Sequence, residues 1–301
     1  MKTLYITIMM AAMLTACGHR ASNGESADSS DSIAVATAFQ TDSIGMERED
    51  TMVSVRVSVD WPVSGSDSLM SAIRLFACER LATNPMQEGK PEVTVFDDGK
   101  KAVETTVDTL YNQLLASWKE MTAEGVSFDG MQFSALLRIR KLEETDRYIT
   151  YLSNMEGFQG GAHGYATSTG QTFRKRDGMR IGYRTEFNRQ TEKYEMKDQT
   201  LFSNPQSPKL AALIKEGVRS YFKDCDQDVA TDEALSDQLL NVDVNHIPLP
   251  SDAPTFSKKG LSFVYQQYEI APYAAGMVNF FLPYQQVAPL LTPAAAELIE
   301  E

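Results

Sequence analysis

The apolar residues of this chain keep two different periods in separate blocks, and that segregation limits the folds open to it. Val53, Val55, Val57 and Val59 alternate with Ser54, Arg56, Ser58 and Asp60, the two-residue repeat of a half-buried strand. Trp61-Pro62 is expected to end that strand. Leu69, Met70, Ile73, Leu75, Phe76 and Leu81 then follow helical spacing, with Asp67-Ser68 before them and Asn84-Pro85 as the stop. A second helix is predicted over 101–122, with Val103, Val107, Leu110, Leu114, Leu115 and Trp118 along one face. After Gly125 the period switches. Strands are predicted over 131–142, 147–155, 163–174 and 179–184, with turns at Asp146, 157–161 and Asp177-Gly178. A helix over 207–223, irregular chain over 228–250 with a short helix near 232–240, strands near 261–268 and 276–282, and helical turns after Pro283 and Pro293 complete the pattern. Helices segregated from runs of hairpin-connected strands indicate an α+β fold, a mainly antiparallel sheet with helices packed on it in two subdomains.

The first residues obey different rules. Met1-Lys2 is a short positive start, and 4–14 is apolar apart from threonine, as in the core of a signal peptide. Leu14-Thr15-Ala16-Cys17 places small residues before a cysteine, the pattern cleaved by lipoprotein signal peptidase once the thiol carries diacylglycerol. The apolar run is too short to span the roughly 30 Å hydrocarbon core, so the expected attachment is through acyl chains on Cys17, palmitate among them, rather than a spanning helix. Residues 1–17 are therefore read as a lipoprotein signal peptide ending at the lipidated Cys17. Residues 18–50, rich in Ser, Asp, Ala and Gly, are read as a flexible tether. Gly18, rather than Asp, after the cysteine fits delivery to the outer membrane. The expected location is thus the cell envelope, by lipid anchor.

Composition narrows the partners. With 28 basic and 41 acidic residues the chain carries −13, and removing 1–16, which contains Lys2 alone among charged residues, leaves −14. Such a field disfavours nucleic acid and anionic lipid and favours a cationic partner. Once Cys17 carries lipid, Cys78 and Cys225 remain, and the sequence leaves open whether they pair or stay free. The histidines, His19, His163 and His246, have no ligand spacing, so no metal and no cofactor is expected. The acidic run at 224–228 opens like a calcium loop but has Val229 where the turn glycine belongs and Leu235 where the bidentate glutamate belongs. Ser168 in Ala166-Thr167-Ser168-Thr169-Gly170 lies inside a predicted strand, where a nucleophile elbow cannot form.

Two turn motifs carry the sharper signal. Gly160-Gly161-Ala162-His163 lies between two predicted strands, and 259–291 runs KGLSFVYQQYEIAPYAAGMVNFFLPYQQVAPLL. The second segment resembles the C-terminal signature of the extracytoplasmic RsiV-like family, and the Gly-Gly-Ala-His turn is similar to that family's upstream turn. The resemblance spans about 150–293, so 151–301 is identified as an RsiV-like domain of unknown function. Residues 51–150 resemble the α+β half that accompanies it in PdaC-like proteins, by order of elements rather than by sharp residues. The resemblance implies a binding module without catalysis, for lysozyme or another cationic or cell-wall ligand, with Gly160, Gly161, His163, Tyr165, Glu269 and Tyr273 as binding residues. His163 and Glu269 are expected as a buried polar pair that fixes two turns. The competing reading is a hydrolase of envelope polymers using His163 and Glu269, which requires a solvent-open pocket joining them.

Overall fold

The computed structural model describes residues 38–83, 91–128, 130–188, 190 and 193–299; the expected signal peptide, Cys17 and the first part of the expected tether lie outside the described residues. Strands β1 (Gln40–Glu49), β2 (Val53–Ser64), β3 (Phe133–Glu144), β4 (Tyr148–Phe158), β5 (Tyr165–Arg174) and β6 (Arg180–Ile181) form one sheet in that order. Every neighbouring pair is antiparallel except β2 and β3, which run parallel from Val53↔Phe133 to Val59↔Ile139. A parallel pair needs a long crossover, and here it is made by helices α1 (Asp67–Leu81) and α2 (Gly99–Ala123). The fold is α+β, as the segregated periods predict.

The alternating valines explain the first layer. Val53, Val55, Val57 and Val59 point to one face of the sheet, are buried there, and continue across β3 as Phe133, Ala135, Leu137 and Ile139. Against them pack Ile73, Phe76 and Ala77 of α1 and Val103, Val107, Leu110 and Leu114 of α2. Each buried valine or leucine contributes about 1.5–3 kcal/mol relative to exposure, so this face alone accounts for the burial of both helices. Asp98 caps α2 by accepting from the backbone N–H groups of Lys100 and Lys101.

A second core lies in the C-terminal half. The hairpin β7 (Arg184–Asn188) and β8 (Lys193–Lys197) leads into α3 (Pro208–Asp224) and the single turn α4 (Asp232–Ser236). The strands β9 (Thr255–Ser257), β10 (Gly260–Val264) and β11 (Asn279–Pro283) make a small sheet, and the short helices α5 (Tyr284–Val287) and α6 (Pro293–Ala296) follow it. Helix α3 lays Leu210, Ile214, Val218 and Phe222 into this core with Phe256, Leu261, Phe263 and Tyr265. The small sheet meets the far face of the large one at Thr150 and Thr172. The Thr150 hydroxyl donates to the Phe256 carbonyl at 2.8 Å, and the Phe256 N–H donates to the Thr172 hydroxyl at 3.0 Å. Gly170 permits the approach, since a Cβ there would stand 2.2 Å from Thr255 Cγ2.

Several expectations are corrected here. The tether predicted to run to residue 50 ends earlier, because Gln40–Glu49 is strand β1, and Phe39, Ile44 and Met46 pack on the first core. Trp61-Pro62 does not end β2: the strand runs on to Ser64 with Pro62 opposite Thr41 of β1, beyond the last β3 partner, so the proline interrupts no pairing with β3. The division expected at 150/151 falls inside β4, which sends Ile149 and Tyr151 to the first core and Tyr148 to the second. The predicted strand over 179–184 shrinks to Arg180–Ile181, and β7, β8 and β9 were not foreseen. Cys78 is buried in α1, Cys225 is exposed after α3, and both thiols are free. Among the described residues no helix is long and apolar enough to cross a membrane.

Candidate functional site

The two turns singled out in the sequence meet at the start of β5. Gly160 and Gly161 sit at φ +87° and +88°, a backbone region that side-chain-bearing residues rarely enter. A Cβ on Gly160 would also press on Met121 Cε at 3.1 Å, whereas Gly161 has open space around it and serves conformation alone. The turn delivers His163 to the surface, where it is exposed. Its Nδ1 lies 2.8 Å from the Gly164 carbonyl and its Nε2 lies 3.2 Å from the Tyr268 hydroxyl. Its ring stacks on Tyr273 at 3.7 Å between centroids, 18° from parallel. Tyr268 is 53% exposed and holds φ +66°, and its ring stands 5.9 Å from Tyr273. Three aromatic rings from two distant segments thus form one surface cluster.

Glu269, next to Tyr268, faces the other way. Its Oε1 accepts from the Ser251 N–H at 2.5 Å and its Oε2 from the Gln266 N–H at 2.7 Å. Burial pushes its carboxyl above the usual glutamate range, against these two donors, which pull it down. Glu269 therefore closes its own turn, as a polar group among apolar residues must. The expected pairing with His163 is not made, because each side chain has other partners. The expectation that His163 is buried is likewise corrected: the glycine turn carries it outward over Tyr273.

The residues that lock the two turns together were missed by sequence reasoning. Gln267 Oε1 accepts from the Ala166 N–H at 3.0 Å, and Gln266 pairs with the Ser168 backbone, accepting from its N–H at 3.1 Å and donating to its carbonyl at 2.8 Å. Asp252 joins them, taking bonds from the Thr169 hydroxyl and from Gln266 Nε2. Strand β6 reaches only Thr172 and Phe173, so the remainder of β5 would otherwise present an open edge. The glutamine side chains supply the missing ladder. Adjacent glutamines signal such a role only once the partner strand is known.

Beside the cluster lies a cleft of about 510 Å³, lined by Ser54, Arg56, Ser134, Leu136, Glu156, Gly157, Tyr165 and Tyr273 among others. Tyr165 has its ring over Gly157, where a Cβ would stand 2.8 Å from it, and its hydroxyl accepts a bond from Gln159 Nε2. Burial raises the Tyr165 phenol above its ordinary value. The cleft reaches neither His163 nor Glu269. Among the described residues no group of three or more His, Cys, Asp or Glu could hold a metal ion. Asp232, in the acidic segment that opens like a calcium loop, is instead bonded to Lys215 and Arg219.

Residues 199–285 match the profile of a family described as "Protein of unknown function (DUF3298)". Tyr268, Glu269 and Tyr273 lie inside the matched stretch, and Gly160, Gly161, His163 and Tyr165 lie before it. A crystal structure of a DUF3298 family member from Bacteroides fragilis NCTC 9343 superposes with a TM-score of 0.62 at 18% identity, covering 87% of this chain and 98% of that one. A DUF3298 family protein from Pseudomonas aeruginosa PAO1 gives a TM-score of 0.49 at 12% identity, covering 88% of this chain and 96% of that one. The first of these likenesses shows that the fold is shared with that structure. No curated protein matches the chain.

Proposed function

We propose that this chain is a lipid-anchored extracytoplasmic binding module of the RsiV-like type, held at the outer membrane by Cys17, whose partner is a cationic protein with lysozyme as the first candidate. The observation that carries a binding role is the exposed aromatic cluster of His163, Tyr268 and Tyr273. Its turns, one of them allowed by the positive φ of Gly160 and Gly161, are held by the Glu269 clamp and by the glutamine bonds to β5. Rigid, exposed aromatic rings lose little entropy on association and are the residue types that dominate interface energetics. The −14 charge of the mature chain adds long-range attraction for a basic partner, screened over about 8 Å at physiological salt. The hydrolase reading calls for a pocket joining His163 to Glu269, and the cleft beside the cluster is lined by neither, so the binding role is the better supported of the two.

The test is calorimetry of the full chain in a sugar-free detergent against lysozyme and against cytochrome c as a charge-matched control. Lysozyme binding that persists at physiological salt and falls at least tenfold in Tyr268→Ala or His163→Ala supports the reading. Both side chains are exposed, and an exposed ring contact is worth about 0.5–1.5 kcal/mol, so these variants keep melting temperatures close to the parent's. Equal weak binding to both basic proteins, vanishing at physiological salt, would mean that the acidic surface serves solubility alone.

A further inference from the structure

The cleft beside the aromatic cluster has a chemistry of its own, and it does not suit a basic protein. Its charged lining residues are Arg56 and Glu156, one of each sign. Both are already compensated across the sheet, Arg56 by Glu47 at 2.5 Å and Glu156 by Arg138 at 3.4 Å. A charged ligand would have to break one of these pairs. A neutral polar ligand would not. Ser54, Ser134 and Tyr273 line the cleft, and their hydroxyls make no hydrogen bond among the described residues. Tyr273 has one ring face covered by His163, which fixes the plane of the ring it presents to the cleft. The volume, about 510 Å³, falls in the range of about 300–1,000 Å³ usual for small-molecule sites.

An oriented aromatic ring, unengaged hydroxyls and balanced charge together match one ligand class. Pyranose rings with equatorial hydroxyls have two flat faces of C–H groups, which pack on an aromatic ring, and a rim of hydroxyls that both donate and accept. β-linkage keeps successive rings coplanar, so a chain of them lies as a ribbon along a floor such as the one β2, β3 and β4 provide. The floor strands have their backbone groups paired within the sheet, so a peptide could not add to them as a further strand and would have to be read by side chains alone. We propose that this cleft binds a neutral saccharide of β-linked, glucose-configured rings, with one ring lying against Tyr273. The site shares Tyr273 with the aromatic cluster proposed above for the protein partner, but it does not require that partner.

The experiment is saturation-transfer NMR and calorimetry of the full chain in a sugar-free zwitterionic detergent. The probes are the β-1,4-linked tetramer of N-acetylglucosamine, cellotetraose, and maltotetraose as the α-linked control. The expected result is binding of at least one β-linked tetramer with Kd below about 1 mM, the level of a weak specific site, and weaker binding of maltotetraose. Tyr273→Ala is expected to weaken it at least tenfold, and Tyr273→Phe, which keeps the ring, to retain most of it. Arg56→Met gives a second variant: the exposed guanidinium makes one bond to Glu47 and has further N–H donors for sugar hydroxyls, so a loss of several-fold at an almost unchanged melting temperature is expected. No binding by either β-linked tetramer, or binding that Tyr273→Ala and Arg56→Met both leave intact, overturns the proposal. So does preferential capture of an aromatic peptide that competes the sugars away. Lysozyme is titrated separately, because it cleaves the N-acetylglucosamine probe. Lysozyme binding without sugar binding removes the saccharide site alone, and the converse removes the protein partner alone.

Discussion

Glu269 accepts from two backbone N–H groups, Ser251 and Gln266, that lie on different segments, so its removal strands two donors at once. A donor left without its partner away from water costs about 1–3 kcal/mol. Glu269→Ala is therefore expected to lower the melting temperature by roughly 2–4 °C per kcal/mol lost, read by calorimetry. The pH dependence has a definite sign. Burial raises the folded-state carboxyl above its unfolded value, so the proton is held more tightly in the folded chain. The stabilising contribution of the protonated group is complete below the ordinary glutamate pKa and is lost as pH rises through the raised folded value. The gap in stability between the parent and Glu269→Ala should widen as pH is lowered from neutral toward the ordinary glutamate range; a gap that narrows over that interval would show that the carboxyl is not raised. Arg174, by contrast, holds Asp177 below the usual aspartate range through a bidentate hydrogen bond. That contribution is present above the unfolded aspartate value and disappears only as pH falls through the lowered one.

At the scale of elements, helix α3 packs on β11 through a glycine. A Cβ on Gly217 would stand 2.2 Å from the Phe280 ring, and Phe280 is itself stacked on Phe263 at 5.0 Å. Gly217→Ala gains about 1 kcal/mol of helix propensity, but the overpacking costs about 1–3 kcal/mol. The expected outcome is a net loss of stability in denaturant melts, and a gain would mean that the ring swings aside freely. The same scale shows what the sequence reveals and what it hides. The valine alternation of β2 and the single-faced helices α1 and α2 are legible because each element's own period states which side is buried. Strand β1 is hidden because its residues alternate weakly, with only Ile44 and Met46 turned to the core and Ser43, Glu47 and Glu49 left exposed. The three-residue strand β9 is too short to show a period at all. At the site, the glycine turn and Tyr273 can be read from the motif, but the glutamine ladder cannot. Gln266 and Ser168 are 98 residues apart, and nothing local couples them. The misplaced burial of His163 has the same origin: a glycine turn states that the chain bends, not which side of the bend meets solvent. A chain starting at residue 51 lacks β1 and should aggregate, because the β2 edge and the first core are then uncovered; light scattering against the chain starting at 38 checks this.

For the whole molecule the remaining question is how the proposed attachment to a membrane would be made. The mature charge of −14 repels anionic lipid headgroups. The apolar run at 4–14 would extend only about 16 Å as a helix, roughly half of the hydrocarbon core. Among the described residues no helix supplies a substitute. If the proposed anchor is correct, attachment depends on the acyl chains of Cys17, and several chains together give stable binding where one gives only marginal binding. Among the described residues, both cores are built from Phe39 onward, so folding is expected to proceed without Cys17. The informative variant is Cys17→Ala placed behind an ordinary cleavable leader, which removes both the lipid and the uncleaved apolar segment. It should be recovered in the soluble envelope fraction, without the mass of the lipid, and with the melting transition of the parent. Retention in the membrane fraction after a high-salt wash would show that another part of the chain binds the membrane. A lowered melting temperature in the released protein would show that the anchor contributes to the fold.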